Sequence, residues 1–303
     1  MQVLAPKYYK DFKCIADKCT HSCCVGWEID IDKNTLEKYE RCAGGYFEKI
    51  KKSLDYTGTP HIKLGSDERC PHLDENNLCR IITECGESYL SDICREHPRF
   101  YNVAGDSMLL GLGMACEEAA RIILSSDSYS DFVKVSKIDF EPCHSDLNIA
   151  EELDGIYKIL LDESILYKEK LDIIYDKYGV SPLKNSDELW HNLINELEFL
   201  NEDSRLRFLA YSSDKTTPTE YEKILERAFA YFIYRHASDK TDREEFIAAI
   251  GFAAFMERLF ASLLKAESPD LSEAFLIARL ISEEIEYCEE NTENIMLEFQ
   301  LLR

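Results

Sequence analysis

The sequence predicts a mainly α-helical protein whose small N-terminal part is rich in cysteine and contains a few short strands. Two observations indicate this class. Ten of the twelve cysteines come before residue 117, and after about residue 125 apolar residues recur at helical spacing. We therefore predict a Cys-rich domain over residues 1–125 and a helical domain over residues 126–303.

Two segments of the N-terminal part have the pattern of helices. In "IDKNTLEKYERCAGGYFEKIKKSL" a helix is predicted from about Lys33, with an interruption at Gly44 and Gly45 because glycine disfavours helix interiors. In "ESYLSDICREHPRF" a short helix must end before Pro98, which cannot continue a helix. Cys94 therefore falls in the last turn of that short helix.

Two further segments have the pattern of extended chain. "CPHLDENNLC" reads as two short arms around turn residues, which would bring Cys70 and Cys79 near each other. "RFYNVAGDSMLLGLGMAC" reads as a hairpin around Gly105 and Asp106 that leads to Cys116 at the start of a helix. Unpaired N–H groups at a helix start favour a thiolate, the form of cysteine that binds metal.

From about residue 145 the pattern predicts five or six helices. Three of them have a capping residue followed by Glu three positions later, which is the capping-box arrangement. The pairs are Thr217 with Glu220, Thr241 with Glu244, and Asp270 with Glu273. The connections are short, so these helices should pack as antiparallel neighbours.

The charge and the apolar runs limit the partners that we expect. The net charge of −23 repels nucleic acid and would attract cationic partners, although an acidic surface is also common in soluble proteins. The longest apolar run, "FIAAIGFAAFMERLF", is interrupted by a charged pair, so we expect no membrane span. The N-terminus does not have the pattern of a secretory signal, and we expect a cytoplasmic protein.

The dense cysteines indicate a metal site. A reducing compartment argues against a disulfide framework, and a zinc ribbon would show a second short Cys pair that this chain lacks. Thiols that arrive from a loop, a hairpin, a helix end and a strand end suit a buried pocket. Thiolates bind an iron–sulfur cluster or zinc equally well, and His21, His72 and His97 leave a mixed Cys/His zinc site open.

Six separated segments resemble one known family. They are "FKCIADKCTHSCCVGWEIDID", "CPHLDENNLCRI", "LSDICREHPR", "ACEEAARIIL", "FAYFIYRH" and "ISEEIEYCEEN". Together they resemble the flagellin lysine N-methylase family, a branch of the Cys-rich proteins described as zinc- or iron-chelating. The resemblance implies methylation of surface lysines on flagellin, with S-adenosylmethionine as the methyl donor. It also implies a cysteine-bound iron–sulfur cluster of the 4Fe–4S type.

The resemblance also implies the metal ligands. Eight cysteines match the family's Cys positions, which is more than the four that one cluster needs, so one or two metal sites remain open. They are Cys14, Cys19, Cys23, Cys24, Cys70, Cys79, Cys94 and Cys116. We favour a set drawn from the Cys19–Cys24 loop with Cys79, Cys94 and Cys116.

Methyl transfer to lysine requires a group that takes up the proton of the ammonium and a surface that binds cations. The catalytic candidates are Glu28, Tyr231, Tyr234 and Glu286, with Glu284 as a further acid. The candidates for binding the donor or the cluster are Trp27, Arg95 and Arg99. Each candidate also has an ordinary structural interpretation. Trp27 would cover the metal pocket, and the tyrosines would be aromatic rings at the edge of the core. The acids would lie on solvated helix faces, and the arginines would form surface salt bridges.

Two alternatives to the enzyme stay open at this point. In the first, zinc only stabilises the N-terminal half and the helices bind a partner protein. In the second, weaker one, the neighbouring thiols of Cys23 and Cys24 carry out redox chemistry.

Overall fold

The structure is a computed structural model that describes residues 2–27, 29–135, 138–180, 186–214 and 216–301. It divides into two compact units. The small unit is Lys13–Pro98, and the helical unit combines Met1–Phe12 with Arg99–Arg303.

Short strands occur in both units. The strands are β1 (Gln2–Pro6), β2 (Ile29–Asp30), β3 (Leu54–Asp55), β4 (His61–Ile62), β5 (Arg99–Ala104), β6 (Ser107–Leu112) and β7 (Phe132–Lys134).

Helices dominate the described residues, which confirms the predicted mainly α class. The α-helices are α1 (Lys33–Arg41), α2 (Phe47–Ser53), α3 (Arg80–Cys85), α4 (Asp92–Glu96), α5 (Glu117–Ser125), α6 (Ile149–Leu160), α7 (Tyr167–Tyr178), α8 (Asp187–Glu196), α9 (Glu202–Phe208), α10 (Glu222–Ala237), α11 (Arg243–Glu267), α12 (Leu271–Ile281) and α13 (Glu289–Leu301). A π-helix, Ser282–Glu286, connects α12 to α13.

The small unit is built on a three-stranded sheet of order β2-β4-β3. Helices α1 and α2 are separated at Gly44 and Gly45, which both have positive φ, so the predicted interruption is confirmed. Its core contains the buried side chains of Ile29, Ile31, Tyr39, Ile50, Ile62, Cys70, Ile81 and Leu90. Cys24, Cys79, Cys85 and Cys94 pack against that core while staying partly buried.

The helical unit contains a four-stranded sheet of order β5-β6-β1-β7. Strands β5 and β6 form the predicted hairpin, with Gly105 at φ +60° in the turn. Strand β1 pairs parallel with β6 and antiparallel with β7. Because β1, β5 and β6 share a sheet with β7, strands from both sides of residue 125 belong to the helical unit.

Helix α11 is the centre of the helical core. Its side chains from Phe246 to Leu264 are all buried, and Trp190 packs on its Phe255 and on Phe299 of α13. Its most apolar window has a mean hydropathy of 1.7 and is long enough to cross a membrane, but all of that window is buried inside the structure. Its burial is that of a core helix.

The helices after residue 145 number eight within the described ranges, against the five or six predicted. Helices α8 and α9 are only ten and seven residues long, so each shows few turns of apolar periodicity.

The three predicted caps have different outcomes. The capping box of Asp270 and Glu273 is confirmed. The Thr241 cap is wrong, because Asp242 caps α11 by accepting from the amides of Glu244 and Glu245. The Thr217 cap is also wrong, since a 3₁₀ turn over Thr219–Tyr221 leads into α10 without a side-chain cap.

Replacing Gly251 by alanine should destabilise the helical unit by about 1–3 kcal/mol. An added Cβ would collide with the side chain of Phe299, so α11 and α13 would have to separate. Urea unfolding followed by Trp190 fluorescence, in a Trp27→Phe background, measures the change in the free energy of unfolding.

Gly155→Ala is the matched control for this overpacking. An added Cβ in α6 would meet only the mobile end of Lys177, at 3.3 Å. Replacing a helical glycine by alanine there should gain roughly 0.5–1 kcal/mol. Equal effects of the two substitutions would contradict the packing described for α11 and α13.

Candidate metal centre and buried polar network

Four of the eight predicted cysteines come together in the small unit. Every pair among them interacts electrostatically. We call this group the thiol cluster; its members are Cys24, Cys70, Cys79 and Cys94. Cys70 is buried and the other three are partly buried.

Backbone pairing brings three of these thiols together. The amide of Cys70 donates to the carbonyl oxygen of Cys24 at 2.9 Å, beside an antiparallel bridge between Val25 and Arg69. A second bridge joins Leu73 to Cys79, which confirms that the two arms bring Cys70 and Cys79 near each other. The cluster is therefore fixed by main-chain hydrogen bonds and not by side-chain packing alone.

Cys94 reaches the cluster on the short helix α4, as the sequence predicts. Its helix is tied to the first turn of α1, because the amide of Asp92 donates to Oδ2 of Asp32 at 2.9 Å. The other oxygen of Asp32 accepts from the amide of Thr35 at the start of α1. One carboxylate thus holds two helix starts together.

The pKa values of the thiols differ in direction. A hydrogen bond with the Cys23 thiol lowers the pKa of Cys24 to about 7, against the effect of burial and with help from Ser22 and Arg69. Burial, with a smaller contribution from the neighbouring thiols, raises the pKa of Cys70 to about 12 and that of Cys94 to about 11. Cys24 is therefore the member that ionises most readily.

The other four predicted cysteines lie outside this group. Cys14 and Cys23 are exposed, and Cys19 is partly buried with its thiol directed to the carbonyl of His21. Cys116 belongs to the helical unit, where it is the predicted N-cap of α5. The favoured set therefore shares Cys24, Cys79 and Cys94 with the thiol cluster. Cys70 belongs to the thiol cluster but not to the favoured set.

His72 is held by hydrogen bonds on both sides of its ring. Its Nδ1 lies 3.1 Å from the hydroxyl of Tyr46 and its Nε2 lies 2.8 Å from the hydroxyl of Ser53. Burial lowers its pKa to about 4. In this arrangement it serves as a neutral core residue, which argues against His72 as a ligand of a mixed Cys/His site.

The candidates for donor or cluster binding are divided between the two units. Trp27 is partly buried in the small unit. Arg95 is exposed and pairs with Asp92 and Glu96, which is the surface salt bridge of the ordinary interpretation. Arg99 belongs to the helical unit, with its guanidinium 5.3 Å from the ring centre of Phe12. Glu28 lies outside the described residues.

Two catalytic candidates are joined in the helical unit. The hydroxyl of Tyr231 donates to Oε2 of Glu286 at 3.1 Å and accepts from the backbone amide of Met114 at 3.0 Å. Two neighbours on α10 complete a buried polar network: Arg235 donates to the Tyr231 hydroxyl at 3.1 Å, and Nε2 of His236 lies 2.6 Å from Oε1 of Glu286. Tyr231 and Glu286 are buried, so they link α10, the loop that follows β6 and the π-helix from inside the core.

The other two candidates are also hydrogen-bonded. Tyr234 donates to the carbonyl of Leu110 at 2.9 Å. Glu284 accepts from the amide of Leu200 at 2.8 Å, and burial raises its pKa. The acids of the π-helix are thus buried acceptors, which corrects their interpretation as a solvated helix face.

Arg235 and His236 were missed by the sequence analysis. The available signal was their position at the end of the apolar run "FAYFIYRH", one turn after Tyr231. Charged side chains that close a buried helix usually need partners, and here the partner is Glu286.

The buried network should make the helical unit less stable in acid. Burial opposes ionisation of Glu286, but Arg235 and His236 outweigh it and lower its pKa, while burial lowers the pKa of His236. The unfolded chain therefore binds these protons first, at about pH 6.5 for His and about pH 4.3 for Glu. Stability is present above those values and is lost as pH falls through them.

The free energy of unfolding of the helical unit, followed by Trp190 fluorescence, should decline from about pH 6.5 downward. His236→Gln should remove the upper part of this decline and Glu286→Gln the lower part. His144→Gln is the control, because that side chain is 89% exposed and should leave the profile unchanged. If neither His236→Gln nor Glu286→Gln changes how the free energy of unfolding depends on pH, the protonation states assigned to the network are contradicted.

Together, the fold and the site define a mainly α-helical protein that gathers thiols in a separate Cys-rich unit. No protein-family model matches the chain, and no solved structure matches it. Curated relatives do. The flagellar biosynthetic protein FliU of Salmonella muenchen is 33% identical over 132 residues, which are 41% of this chain and 77% of FliU. The chain therefore belongs to the flagellin lysine N-methylase family.

Two longer relatives have names that state an activity. The lysine-N-methylases of Salmonella choleraesuis and Salmonella typhimurium are each 33% identical to this chain over 132 residues. The match spans 41% of this chain and about a third of each relative, 32% of its length.

Proposed function

We propose that the chain is a protein-lysine N-methyltransferase that acts on flagellin, with S-adenosylmethionine as the methyl donor. The observation that carries this proposal is the similarity to FliU and to the two lysine-N-methylases. At the same identity of 33%, one relative is named as a flagellar protein and two are named as lysine methylases. These names support a lysine-bearing protein of the flagellum as the substrate.

A cavity in the helical unit supports a lysine substrate. It has a volume of about 640 Å³ and is lined by the rings of Phe132, Tyr157 and the candidate Tyr234. Asp106 and Asp146 also line it. Aromatic faces and carboxylates are the groups that bind an alkylammonium ion, so we propose that the target lysine enters here.

We further propose that the thiol cluster holds an iron–sulfur cluster of the 4Fe–4S type. The residues present fit such a group in donor type and number, because a cubane takes four thiolates and four thiols converge here. Cys24, Cys70, Cys79 and Cys94 would hold it. When bound, it would supply one-electron chemistry, while the main-chain pairing of Cys24 with Cys70 fixes two of its ligands.

Among the described residues no group of three or more His, Cys, Asp or Glu is close enough to hold a metal ion. Binding of a cubane or of a zinc ion would therefore draw the four thiols closer together. The preference for an iron–sulfur cluster over zinc rests on the family resemblance.

Purified flagellin incubated anaerobically with the chain and S-adenosylmethionine should gain mass in steps of one methyl group. Peptide mapping should place these groups on lysines. Asp106→Asn combined with Asp146→Asn should raise KM for flagellin, because the cavity loses its attraction for the ammonium ion, and should change kcat less. Exposed Asp203→Asn, in α9, is the charge-matched control.

No gain in mass from a chain that carries its cluster would remove the enzyme assignment and leave the metal assignment intact. Methylation that is insensitive to the paired aspartate substitution would retain the activity and remove the lysine from this cavity.

A further inference from the structure

Helix α11 carries a charged pair in the middle of the protein core. Glu257 and Arg258 interrupt the longest apolar run of the sequence, and only 1% and 5% of their surfaces are exposed. A charge removed from water is costly unless a partner compensates it. The neighbours of this pair therefore indicate whether its role is structural.

Arg258 has no such partner in the part of the chain that the structure describes. Its Nε is buried without a hydrogen-bond acceptor, and no carboxylate of those residues lies within ion-pair distance of its guanidinium. Glu257 interacts electrostatically with Arg258, but the two form no ion pair because adjacent residues on a helix point in different directions. Oε1 of Glu257 instead accepts from the hydroxyl of Tyr167 at 3.0 Å.

The pair lines a cavity of about 510 Å³ in the helical unit. Helix α7 contributes Tyr167, Leu171 and Tyr175 to the walls. A volume of this size suits a small molecule, and walls of aromatic and aliphatic side chains suit its apolar body. The guanidinium of Arg258 is thus a buried cation on the wall of a ligand-sized space, and it forms no ion pair with the described residues.

We propose that this cavity binds the α-amino-acid head group of a small molecule, with the carboxylate on Arg258 and the ammonium on Glu257. A guanidinium binds a carboxylate through two parallel hydrogen bonds. A phosphate suits the site less well. Lys168 also lines the cavity, but three carboxylates line it too and would repel a dianion; they are Glu257, Glu222 and Asp172. A zwitterion instead presents one charge to each member of the pair.

The identity of the ligand as the methyl donor rests on the proposed function. S-adenosylmethionine ends in this head group, so the cavity is a site for the methionine end of the donor. A free amino acid carries the same chemistry. The two sources differ in the nucleoside, which only the donor would place against the apolar walls.

Isothermal titration calorimetry on the complete chain, purified with the metal that it binds, separates these ligands. The probes are S-adenosylhomocysteine, methionine, 5′-methylthioadenosine, which lacks the head group, and inorganic phosphate. S-adenosylhomocysteine should bind, and 5′-methylthioadenosine should bind about 10- to 100-fold more weakly, the value of hydrogen bonds to a charged group. Methionine that binds as tightly as S-adenosylhomocysteine would identify a free amino acid as the occupant.

Arg258→Met should weaken binding of S-adenosylhomocysteine by the same factor, while raising the Tm of the ligand-free chain. A purely structural arginine predicts the opposite change in Tm, so this pair of readouts distinguishes the two roles. Glu257→Gln should also weaken binding and serves as the second variant if Arg258→Met does not fold. Arg207→Met, at a surface ion pair with Glu267, is the control and should leave binding unchanged.

Equal affinities for S-adenosylhomocysteine and 5′-methylthioadenosine would overturn the inference, as would phosphate binding as tightly as the amino-acid ligands. Unchanged binding by both Arg258→Met and Glu257→Gln would also overturn it. Methylation of flagellin would still support the proposed function in each case. Conversely, head-group binding without methylation would retain this site and remove the enzyme assignment.

Discussion

Replacing Cys70 by alanine is expected to abolish metal binding by the small unit. Cys70 is the buried member of the thiol cluster and interacts with each of the other three thiols. Its loss would leave three ligands around a group that needs four. Because the same side chain belongs to the apolar core of the small unit, the variant should also unfold at lower temperature.

Iron and acid-labile sulfide, measured in the anaerobically purified variant, test this expectation. Cys42→Ala is the matched control, since Cys42 is a partly buried thiol of the same unit that donates to the hydroxyl of Tyr89 at 3.9 Å and does not belong to the thiol cluster. It should retain its metal. Equal retention by both variants, or equal loss, would contradict the assignment of the thiol cluster.

Replacing Lys170 by methionine is expected to destabilise the helical unit by about 3–5 kcal/mol. The side chains of Lys170 and Glu226 are only 5% and 7% exposed, and Nζ of Lys170 lies 2.8 Å from Oε2 of Glu226. The substitution leaves a buried carboxylate with the hydroxyl of Tyr129 at 3.0 Å and, as its remaining cation, the largely exposed Nζ of Lys223 at 3.9 Å. Urea unfolding followed by Trp190 fluorescence measures the loss.

Two further variants separate pairing from packing. Lys170→Met combined with Glu226→Gln removes both charges and keeps an acceptor for Tyr129, so it should recover much of the lost stability. Arg207→Met breaks a surface ion pair and should cost only about 0.2–1 kcal/mol. A double variant as unstable as Lys170→Met would show that packing, and not the uncompensated charge, causes the loss.

Local features of the fold could be predicted because neighbouring residues determine them. Gly44 and Gly45 separate two helices, Gly105 turns a hairpin, and the arms around residues 74–77 bring Cys70 and Cys79 together. Each depends on turn or helix chemistry that operates over a few residues. The exact cap residue was harder to predict. Thr241 and Asp242 are adjacent and both can cap a helix, but only the Asp242 carboxylate accepts from the amides at the start of α11.

Long-range pairing could not be predicted. Strand β1 pairs with β6 about a hundred residues later, which brings the first residues of the chain into the helical unit. Tyr231 and Glu286 were each chosen for their chemistry, but their hydrogen bond depends on how α10 packs against the π-helix. Glu257 and Arg258 were noted only as an interruption of an apolar run, because their cavity is formed by helices distant in sequence.

The central claim is that the thiol cluster of the small unit holds an iron–sulfur cluster. Iron, zinc and acid-labile sulfide determined on the anaerobically purified chain, together with its visible absorption, test it most directly. We expect a brown protein with about four irons and about four sulfides per chain. A colourless protein that carries stoichiometric zinc and no sulfide would contradict the claim.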